Sequence, residues 1–153
     1  MITSEQQFDV PAAPDAAFRF VAADFFENQP KWALTQLTRD GTGPVSVGTS
    51  GKEIRKVPMG KAVSKVKVTA FEAPARFSYT TDSNVALGTV SYRFEATGGG
   101  TRVTHRVELQ PHGIGRLLSF MMSRSLEGAA EADMGRLKDL LGKLPPRGSA
   151  GAL

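Results

Sequence analysis

Apolar and polar residues alternate in two neighbouring stretches of the chain, 87–97 and 101–110. The apolar face is formed by Val90, Tyr92, Phe94 and Ala96 in the first stretch, and by Val103, His105, Val107 and Leu109 in the second. A period of two is typical of strands with one buried face. Glycines at 98–100 supply the turn between the stretches. The pattern predicts an antiparallel hairpin with His105 on its buried face.

Five further strands are predicted near residues 2–10, 33–40, 47–57, 61–72 and 76–82. Their turns fall at Pro58-Met59-Gly60, Ala73-Pro74 and Ser83-Asn84. After the first strand, Pro14 opens a short helix over about 15–22, and a second helical piece runs from about Phe25 to Pro30 and Trp32. Because short connections favour antiparallel neighbours, we predict one antiparallel sheet of about seven strands.

A long helical pattern follows the hairpin, from about Ile114 to Leu144, and ends at Pro145 and Pro146. Its main apolar stripe consists of Leu126, Ala130, Met134, Leu137, Leu141 and Leu144. A different side carries Ile114, Leu117, Leu118 and Met121, which predicts a bend or break near 119–125. Such a helix is expected to bury its stripe across the sheet, in an α+β fold. The small residues Ser123, Ser125, Gly128, Ala129 and Ala132 leave open either a void or close helix packing there.

Length and composition indicate one domain over 1–144 with a flexible tail over 145–153. The chain has no cysteine, which excludes disulfide and thiolate chemistry and suits the cytoplasm. The first ten residues lack the basic and apolar regions of a secretory signal. A net charge of +4 permits at most peripheral contact with an acidic membrane surface.

The chain resembles the START-like (SRPBCC) superfamily of polyketide cyclases, lipid-transfer domains and pollen-allergen relatives, over about Ile2 to Leu144. The residues that carry the resemblance are Val10-Pro11-Ala12, Pro14, Phe18, Trp32, Val47-Gly48-Thr49, Val68-Thr69-Ala70-Phe71-Glu72-Ala73-Pro74, Arg76-Phe77, Tyr92-Arg93-Phe94, Gly100-Thr101-Arg102-Val103-Thr104 and Leu137-Lys138-Asp139-Leu140-Leu141. The resemblance implies a helix-grip (Bet v 1-like) fold, in which a curved antiparallel sheet wraps around the terminal helix and encloses an apolar pocket. It implies no universal catalytic set.

Four ring-bearing residues are candidates for contact with a ligand in such a pocket. His105 is a candidate acid, base or hydrogen-bond donor, or else an interior histidine without chemistry. Tyr79 and Tyr92 lie on apolar strand faces, so their hydroxyls need partners if they are buried. Trp32 is expected either at the pocket mouth or in ordinary packing. His112 is expected to be a solvated loop residue.

The terminal helix contributes a second group of candidate ligand-binding residues: Leu118, Met121, Met122, Ser125 and Ala129. Methionines would give an adaptable pocket wall, although ordinary core packing is the alternative. Asp133 is expected to be a rim carboxylate, able to orient His105 only if the two meet. Glu53 and Arg55 are expected on the outer sheet face. An inward Arg55 would instead select a carboxylate or phosphate group, and it is included among the binding residues.

Several other kinds of site are excluded by spacing or composition. Residues 48–52 resemble a phosphate loop loosely, but Walker A would need glycine at Ser46 and serine or threonine at Glu53. Two histidines without cysteine argue against a metal site, and no cofactor is expected. A cluster of lysines and Arg55 near residues 52–67 lacks interleaved aromatic residues, so no nucleic acid is expected as a partner.

The leading hypothesis is a carrier or binding module that encloses a small hydrophobic or amphipathic molecule, such as a lipid, polyketide, quinone or aromatic metabolite. One alternative is a cofactor-free cyclase or dehydratase in which His105 moves a proton and Tyr79 or Tyr92 polarises a carbonyl. Another alternative is a protein-interaction module. The oligomeric state, monomer or homodimer, is left open by the sequence.

Overall fold

A computed structural model describes residues 1–57 and 60–147. Within those ranges the strands are β1 (Ile2–Val10), β2 (Gln36–Arg39), β3 (Ser50–Val57), β4 (Gly60–Glu72), β5 (Arg76–Asp82), β6 (Ala86–Thr97) and β7 (Gly100–Pro111). The helices are α1 (Pro14–Phe18), α2 (Phe25–Ala33) and α3 (Ser119–Gly142). A π-helical turn (Arg19–Ala23) joins α1 to α2, and a 3₁₀ helix (Gly113–Arg116) precedes α3.

All seven strands form one sheet in the order β1-β7-β6-β5-β4-β3-β2, and every neighbouring pair is antiparallel. The strands β1 and β2 therefore lie at opposite edges, and the two short helices carry the chain between them. The long helix α3 packs across the concave face. This arrangement confirms the predicted α+β helix-grip architecture, with two short helices after the first strand.

Three element boundaries differ from the prediction for local reasons. The strand β2 begins at Gln36 instead of 33, because α2 continues to Ala33 and ends at Leu34 in the left-handed conformation, with φ 56°. The strand β3 begins at Ser50 instead of 47, because a turn precedes it. The terminal helix is divided in two: the 3₁₀ helix ends at Arg116 and α3 begins at Ser119. The predicted break thus lies just before 119–125.

The core lies between the sheet and the helices. Its sheet side includes the predicted inward residues Val90, Tyr92, Phe94, Val103, His105 and Val107, all buried. Its helix side includes Ala130, Met134, Leu137 and Leu141 from the predicted stripe, also buried. The alternation and the helical spacing therefore identified the correct faces in β6, β7 and α3. Ala96 is the exception, because it lies near the end of β6 and is exposed.

The end of the chain returns to the first connection. Pro146 forms an isolated bridge with Ala12, and the Arg147 amide donates to the Pro11 carbonyl over 2.7 Å. The predicted flexible tail therefore begins with residues that lie against the domain. Residues 148–153 of that tail, and Pro58 and Met59 of the predicted turn, lie outside the described residues.

Candidate functional site

A cavity of about 440 Å³ lies between the concave face of the sheet and α3. The structure places all ten sequence-predicted ligand-binding residues in its lining: Trp32, Arg55, Tyr79, Tyr92, His105, Leu118, Met121, Met122, Ser125 and Ala129. The two small helix residues among them, Ser125 and Ala129, face the space instead of filling it. Of the two alternatives, void or close packing, the void is therefore present. Ligand contact by these residues stays a prediction.

The opening of the cavity lies at one end of the sheet. Its exposed lining residues are Val57, Lys61, Asn84, Met121 and Ser125. They come from the end of β3, the start of β4, the β5–β6 turn and the first turns of α3. These elements meet at one end because neighbouring strands are antiparallel. We refer to this end as the mouth.

Aromatic rings surround the deep end of the cavity. Tyr92 has its ring centre 5.0 Å from that of His105 and 6.4 Å from that of Trp32. Tyr79 packs against Phe25, with ring centres 4.7 Å apart. All of these side chains are buried. Trp32 thus lies deep in the cavity and not at its mouth, so of the two alternatives the structure favours packing in the interior.

A charged network crosses the deep end from the sheet to the helix. Arg55 Nη2 donates to Asp133 Oδ2 over 3.1 Å. Arg136 Nη2 donates to the other oxygen of Asp133 over 2.7 Å, and its Nε donates to the Trp32 carbonyl, also over 2.7 Å. One carboxylate therefore joins β3 to α3, while Arg136 fixes the end of α2 against the same helix.

Glu53 occupies the neighbouring inward position on β3. Its Oε2 accepts a hydrogen bond from Gln29 Nε2 over 2.7 Å, and Gln29 in turn accepts one from the Thr35 hydroxyl over 2.5 Å. Glu53 Oε1 lies 4.0 Å from Arg55 Nε. Glu53, Gln29 and Thr35 are all buried. A buried polar cluster from α2, the α2–β2 connection and β3 therefore lies next to the Arg55 guanidinium.

The expected positions of two charged residues, Glu53 and Asp133, are wrong. Glu53 lies on the inner face of β3 instead of its outer face, and Asp133 is buried instead of solvated. Arg55 takes the inward alternative, the one that placed it among the candidate binding residues. The local pattern was misleading because Ile54, flanked on both sides by charged residues, is the only aliphatic residue of 50–56. The register decides the question, since Glu53 pairs with Ser64, whose face also carries the buried Val66.

Burial governs the ionisation of this network. It raises the pKa of Glu53 against the opposing effects of the Arg55 charge and the Gln29 hydrogen bond. It also raises the pKa of Asp133, although Arg55 and Arg136 oppose the shift. Burial alone would lower the pKa of Arg55, but Asp133 and Glu53 more than offset it, so its pKa rises. The guanidinium stays charged, and the two carboxylates are the groups that become easier to protonate.

His105 is neutral at pH 7. Burial, with a smaller contribution from the Arg55 charge, lowers its pKa from 6.5 to about 4. Its Nδ1 is buried without a hydrogen-bond partner among the described residues. Asp133 does not orient the imidazole, because its oxygens accept from Arg55 and Arg136. Burial also raises the pKa of both Tyr79 and Tyr92, so their hydroxyls keep their protons.

The sequence interpretation missed Gln29 and Arg136. Gln29 lies on the second short helix, where no periodicity distinguished a buried amide from a solvated one. Arg136 lies three residues after Asp133, a spacing that places two helical side chains together. That spacing was the available signal for the Asp133–Arg136 pair.

His112 lies in the connection after β7 with its side chain 43% exposed, and its Nε2 is 4.0 Å from Asp82 Oδ1. No group of three or more His, Asp or Glu residues in 1–57 and 60–147 is placed to hold a metal ion. Within the same ranges, no helix has the length and apolar character needed to cross a membrane.

Comparison with known proteins identified one family over almost the whole chain. Residues 1–142 match the family described as polyketide cyclase/dehydrase and lipid transport. A search among curated proteins found no match.

Several solved structures share the fold. TTHA0849 from Thermus thermophilus is 15% identical, with a TM-score of 0.72 over 92% of this chain and 95% of that one. Ms6760 from Mycobacterium smegmatis is 17% identical, with a TM-score of 0.68 over 94% and 93%. Ara h 8.0201 is 18% identical, with a TM-score of 0.61 over 88% and 96%. At these identities the similarity concerns the fold alone.

Proposed function

Because the chain belongs to the family described as polyketide cyclase/dehydrase and lipid transport, we propose that it binds and carries a small, mainly apolar molecule in the cavity between the sheet and α3. The ligand carries a neutral hydroxyl or carbonyl group at one end, as lipids, polyketides, quinones and aromatic metabolites commonly do. That group lies at the deep end, and the apolar part extends toward the mouth.

The observation that carries this proposal is the unpartnered Nδ1 of His105. A buried polar atom without a hydrogen bond costs about 1–3 kcal/mol. Nδ1 is itself shielded from the cavity, so a ligand regains that free energy when the His105 ring, which lines the cavity, turns this nitrogen toward it. A neutral imidazole has one donor and one acceptor nitrogen, and therefore suits either a hydroxyl or a carbonyl. The apolar residues Val90, Val107 and Leu109 line the cavity on the same face of the sheet.

Charge balance favours a neutral ligand over an anion. The two carboxylates of Glu53 and Asp133 accompany the two guanidinium groups of Arg55 and Arg136. A ligand carboxylate would add a third negative charge to a buried network, where an unbalanced charge is costly. Arg55 is already paired, which argues against its expected role as a selector of carboxylate or phosphate groups.

The cyclase or dehydratase alternative has one observation in its favour, the contact between the rings of His105 and Tyr92. The ionisation of these groups supports binding instead. A general base works best with a pKa near the working pH, and His105, with a pKa of about 4, is a weak base at pH 7. The tyrosines keep their protons and suit hydrogen bonding to a carbonyl.

Two measurements test the proposal. Native mass spectrometry of the undenatured protein, followed by organic extraction, is expected to show a co-purified neutral molecule of low polarity. In a displacement assay with the fluorescent dye Nile red, decanol is expected to compete at least about tenfold better than decanoate at pH 7, which corresponds to about 1.4 kcal/mol. Equal competition would contradict the neutral preference.

A matched pair of variants locates the binding site. Ala129→Trp places a large ring in the cavity, whereas Ala132→Trp places the same ring on the exposed side of the same helix. We expect Nile red binding to be lost in the first variant and kept in the second. Binding that survives in a folded Ala129→Trp protein would overturn the cavity proposal.

A further inference from the structure

The segment that leads into α3 exposes a group of large apolar side chains beside the mouth. Ile114 is 61% exposed, Leu117 85%, Phe120 74% and Met121 52%. Val57, at the end of β3 across the opening, is 37% exposed. Half of the large exposed apolar side chains of the described residues therefore lie at one end of the molecule. We call these five residues the mouth patch.

The mouth patch is flanked by positive charge. Arg116 and Arg124 are exposed on the same segment, and the Arg124 guanidinium lies 5.7 Å from the centre of the Phe120 ring. Across the opening, Lys56 and Lys61 are exposed and directly opposite each other in the β3–β4 register. Among the described residues, none of these four cations forms an ion pair.

Acidic residues are sparse at this end. The eighteen residues between Glu108 and Glu127 contain two arginines and no acidic residue. Asp82 lies at the end of β5, with an oxygen 4.0 Å from His112. Like charges that lie directly opposite each other on two strands repel each other. Contact with an anionic surface would relieve this repulsion between Lys56 and Lys61.

We propose that the mouth patch docks on an anionic lipid bilayer, so that the cavity opens onto the membrane surface. The apolar side chains enter the acyl region while the four cations contact the headgroups. Peripheral membrane proteins commonly combine these two kinds of contact. A protein partner would have to present an apolar surface and acidic side chains together to match the mouth patch, whereas an anionic bilayer combines acyl chains and negative headgroups everywhere on its surface. A second copy of the chain would oppose the cations to one another.

The fold holds this segment in place. His112 donates its amide to the Val85 carbonyl over 2.9 Å, and Gly115 lies so close to Val85 that a methyl group in its place would overlap the Val85 backbone. The 3₁₀ helix is therefore anchored to the β5–β6 turn, and the exposed side chains project from a supported backbone. The inference goes beyond the proposed function, because docking requires the patch but not an occupied cavity.

Vesicle flotation tests the proposal. The wild-type protein is expected to float with vesicles of equal parts phosphatidylcholine and phosphatidylglycerol, and to bind vesicles of phosphatidylcholine alone at least about tenfold more weakly at low salt. Binding to the anionic vesicles is expected to weaken as salt is added, because exposed charges are screened. Absence of flotation with anionic vesicles, or equal flotation with both compositions, would overturn the proposal.

Variants separate the contributions. Leu117→Ser with Phe120→Ser is expected to reduce binding at least about tenfold, because two large apolar side chains no longer enter the bilayer. Arg116→Gln with Arg124→Gln is expected to reduce it roughly fivefold for each charge removed. Val47→Ser, which replaces a 62% exposed side chain in the loop before β3, is the matched control and is expected to bind as wild type.

Two further experiments distinguish membrane docking from ligand binding in the cavity and from self-association. Ala129→Trp is expected to lose Nile red binding but to keep vesicle binding, so failure of either proposal is visible separately. In sedimentation experiments we expect the wild type to form no dimer through the mouth patch. A dimer through this patch would be recognised by its loss in the Leu117→Ser and Phe120→Ser variant. Such a dimer would assign the mouth patch to self-association and overturn membrane docking.

Discussion

Arg55 on β3 reaches across the cavity and donates a hydrogen bond to Asp133 on α3, with Nη2 and Oδ2 3.1 Å apart. The pair joins the sheet to the helix that covers it, at the level of the rings that surround the deep end. Because Asp133 also accepts from Arg136, its carboxylate neutralises two guanidinium groups that are only partly accessible to water.

Loss of the Asp133 side chain is expected to destabilise the protein. Asp133→Ala leaves Arg55 and Arg136 without the oxygens that accept their hydrogen bonds, and we expect the free energy of unfolding to fall by about 1–3 kcal/mol. Urea denaturation at pH 7 measures the change. Glu131→Ala removes an exposed carboxylate from the same helix and is expected to have an effect below about 0.5 kcal/mol. Equal effects of the two substitutions would contradict the structural role of Asp133.

The lowered pKa of His105 makes stability depend on pH in a defined window. Above pH 6.5 the imidazole is neutral in both the folded and the unfolded chain. Between pH 6.5 and about 4 the unfolded chain binds a proton that the folded chain does not, so stability falls as the pH falls. Urea denaturation across this window is expected to show a loss of roughly 3 kcal/mol from His105.

Comparison with variants isolates the contribution of His105. His105→Phe is expected to lose it, while His112→Gln, which changes the other histidine, is expected to keep it. The raised pKa values of Glu53 and Asp133 act in the opposite direction, adding stability as these groups protonate, and they are present in all three proteins. Parallel stability curves for wild type and His105→Phe would show that His105 is not shielded from protonation.

The same substitution is expected to separate stability from binding at pH 7. His105→Phe removes the buried Nδ1 that lacks a partner, and the adjacent cavity has room for the larger ring, so we expect stability to rise by about 1 kcal/mol or more. Affinity for decanol, measured by Nile red displacement, is expected to fall because the hydrogen-bonding group is gone. A variant that is less stable and still binds decanol normally would contradict both expectations.

Leu34 adopts a left-handed backbone conformation at the end of α2, with φ 56°. This conformation costs a residue with a side chain about 1–2 kcal/mol, whereas glycine takes it readily but loses more chain entropy on folding. Because the Leu34 side chain is 63% exposed, Leu34→Gly is expected to stabilise the protein by about 0.5–1 kcal/mol, measured as a rise in Tm. Val47→Gly, at an exposed position without a positive φ, is expected to give no rise.

The fold was predictable from the sequence because apolar and polar residues alternate in its strands and because apolar residues recur at helical spacing in its last helix. Val90, Tyr92 and Phe94 identify the inner face of β6 directly, and Leu137 and Leu141 do the same for α3. These positions are apolar because they are buried, so burial leaves a readable pattern. The sequence also indicated the cavity, because small side chains interrupt an otherwise apolar surface of α3.

The charged network was not predictable by the same reasoning. Glu53 and Asp133 are buried and Arg55 is partly buried, and they pair with one another and with Gln29 and Arg136. In a sequence, a paired charge cannot be told from a solvated one. Only the β3–β4 register, which places Glu53 opposite Ser64, distinguishes the inner face from the outer. Long-range pairing, between β3 and α3 for example, is a property of the folded chain and not of local spacing.

The position of the exposed lining residues at one end of the sheet has a consequence for how a ligand enters and leaves. Among the described residues, the far end of the cavity is surrounded by the buried rings of Trp32, Tyr79 and Tyr92. A ligand must therefore enter with its polar group first and leave with its apolar end first, without reversing its orientation inside the cavity. In the proposed binding mode, the group that meets His105 is the one that leads on entry, so a molecule with its polar group in mid-chain would stop short of that contact.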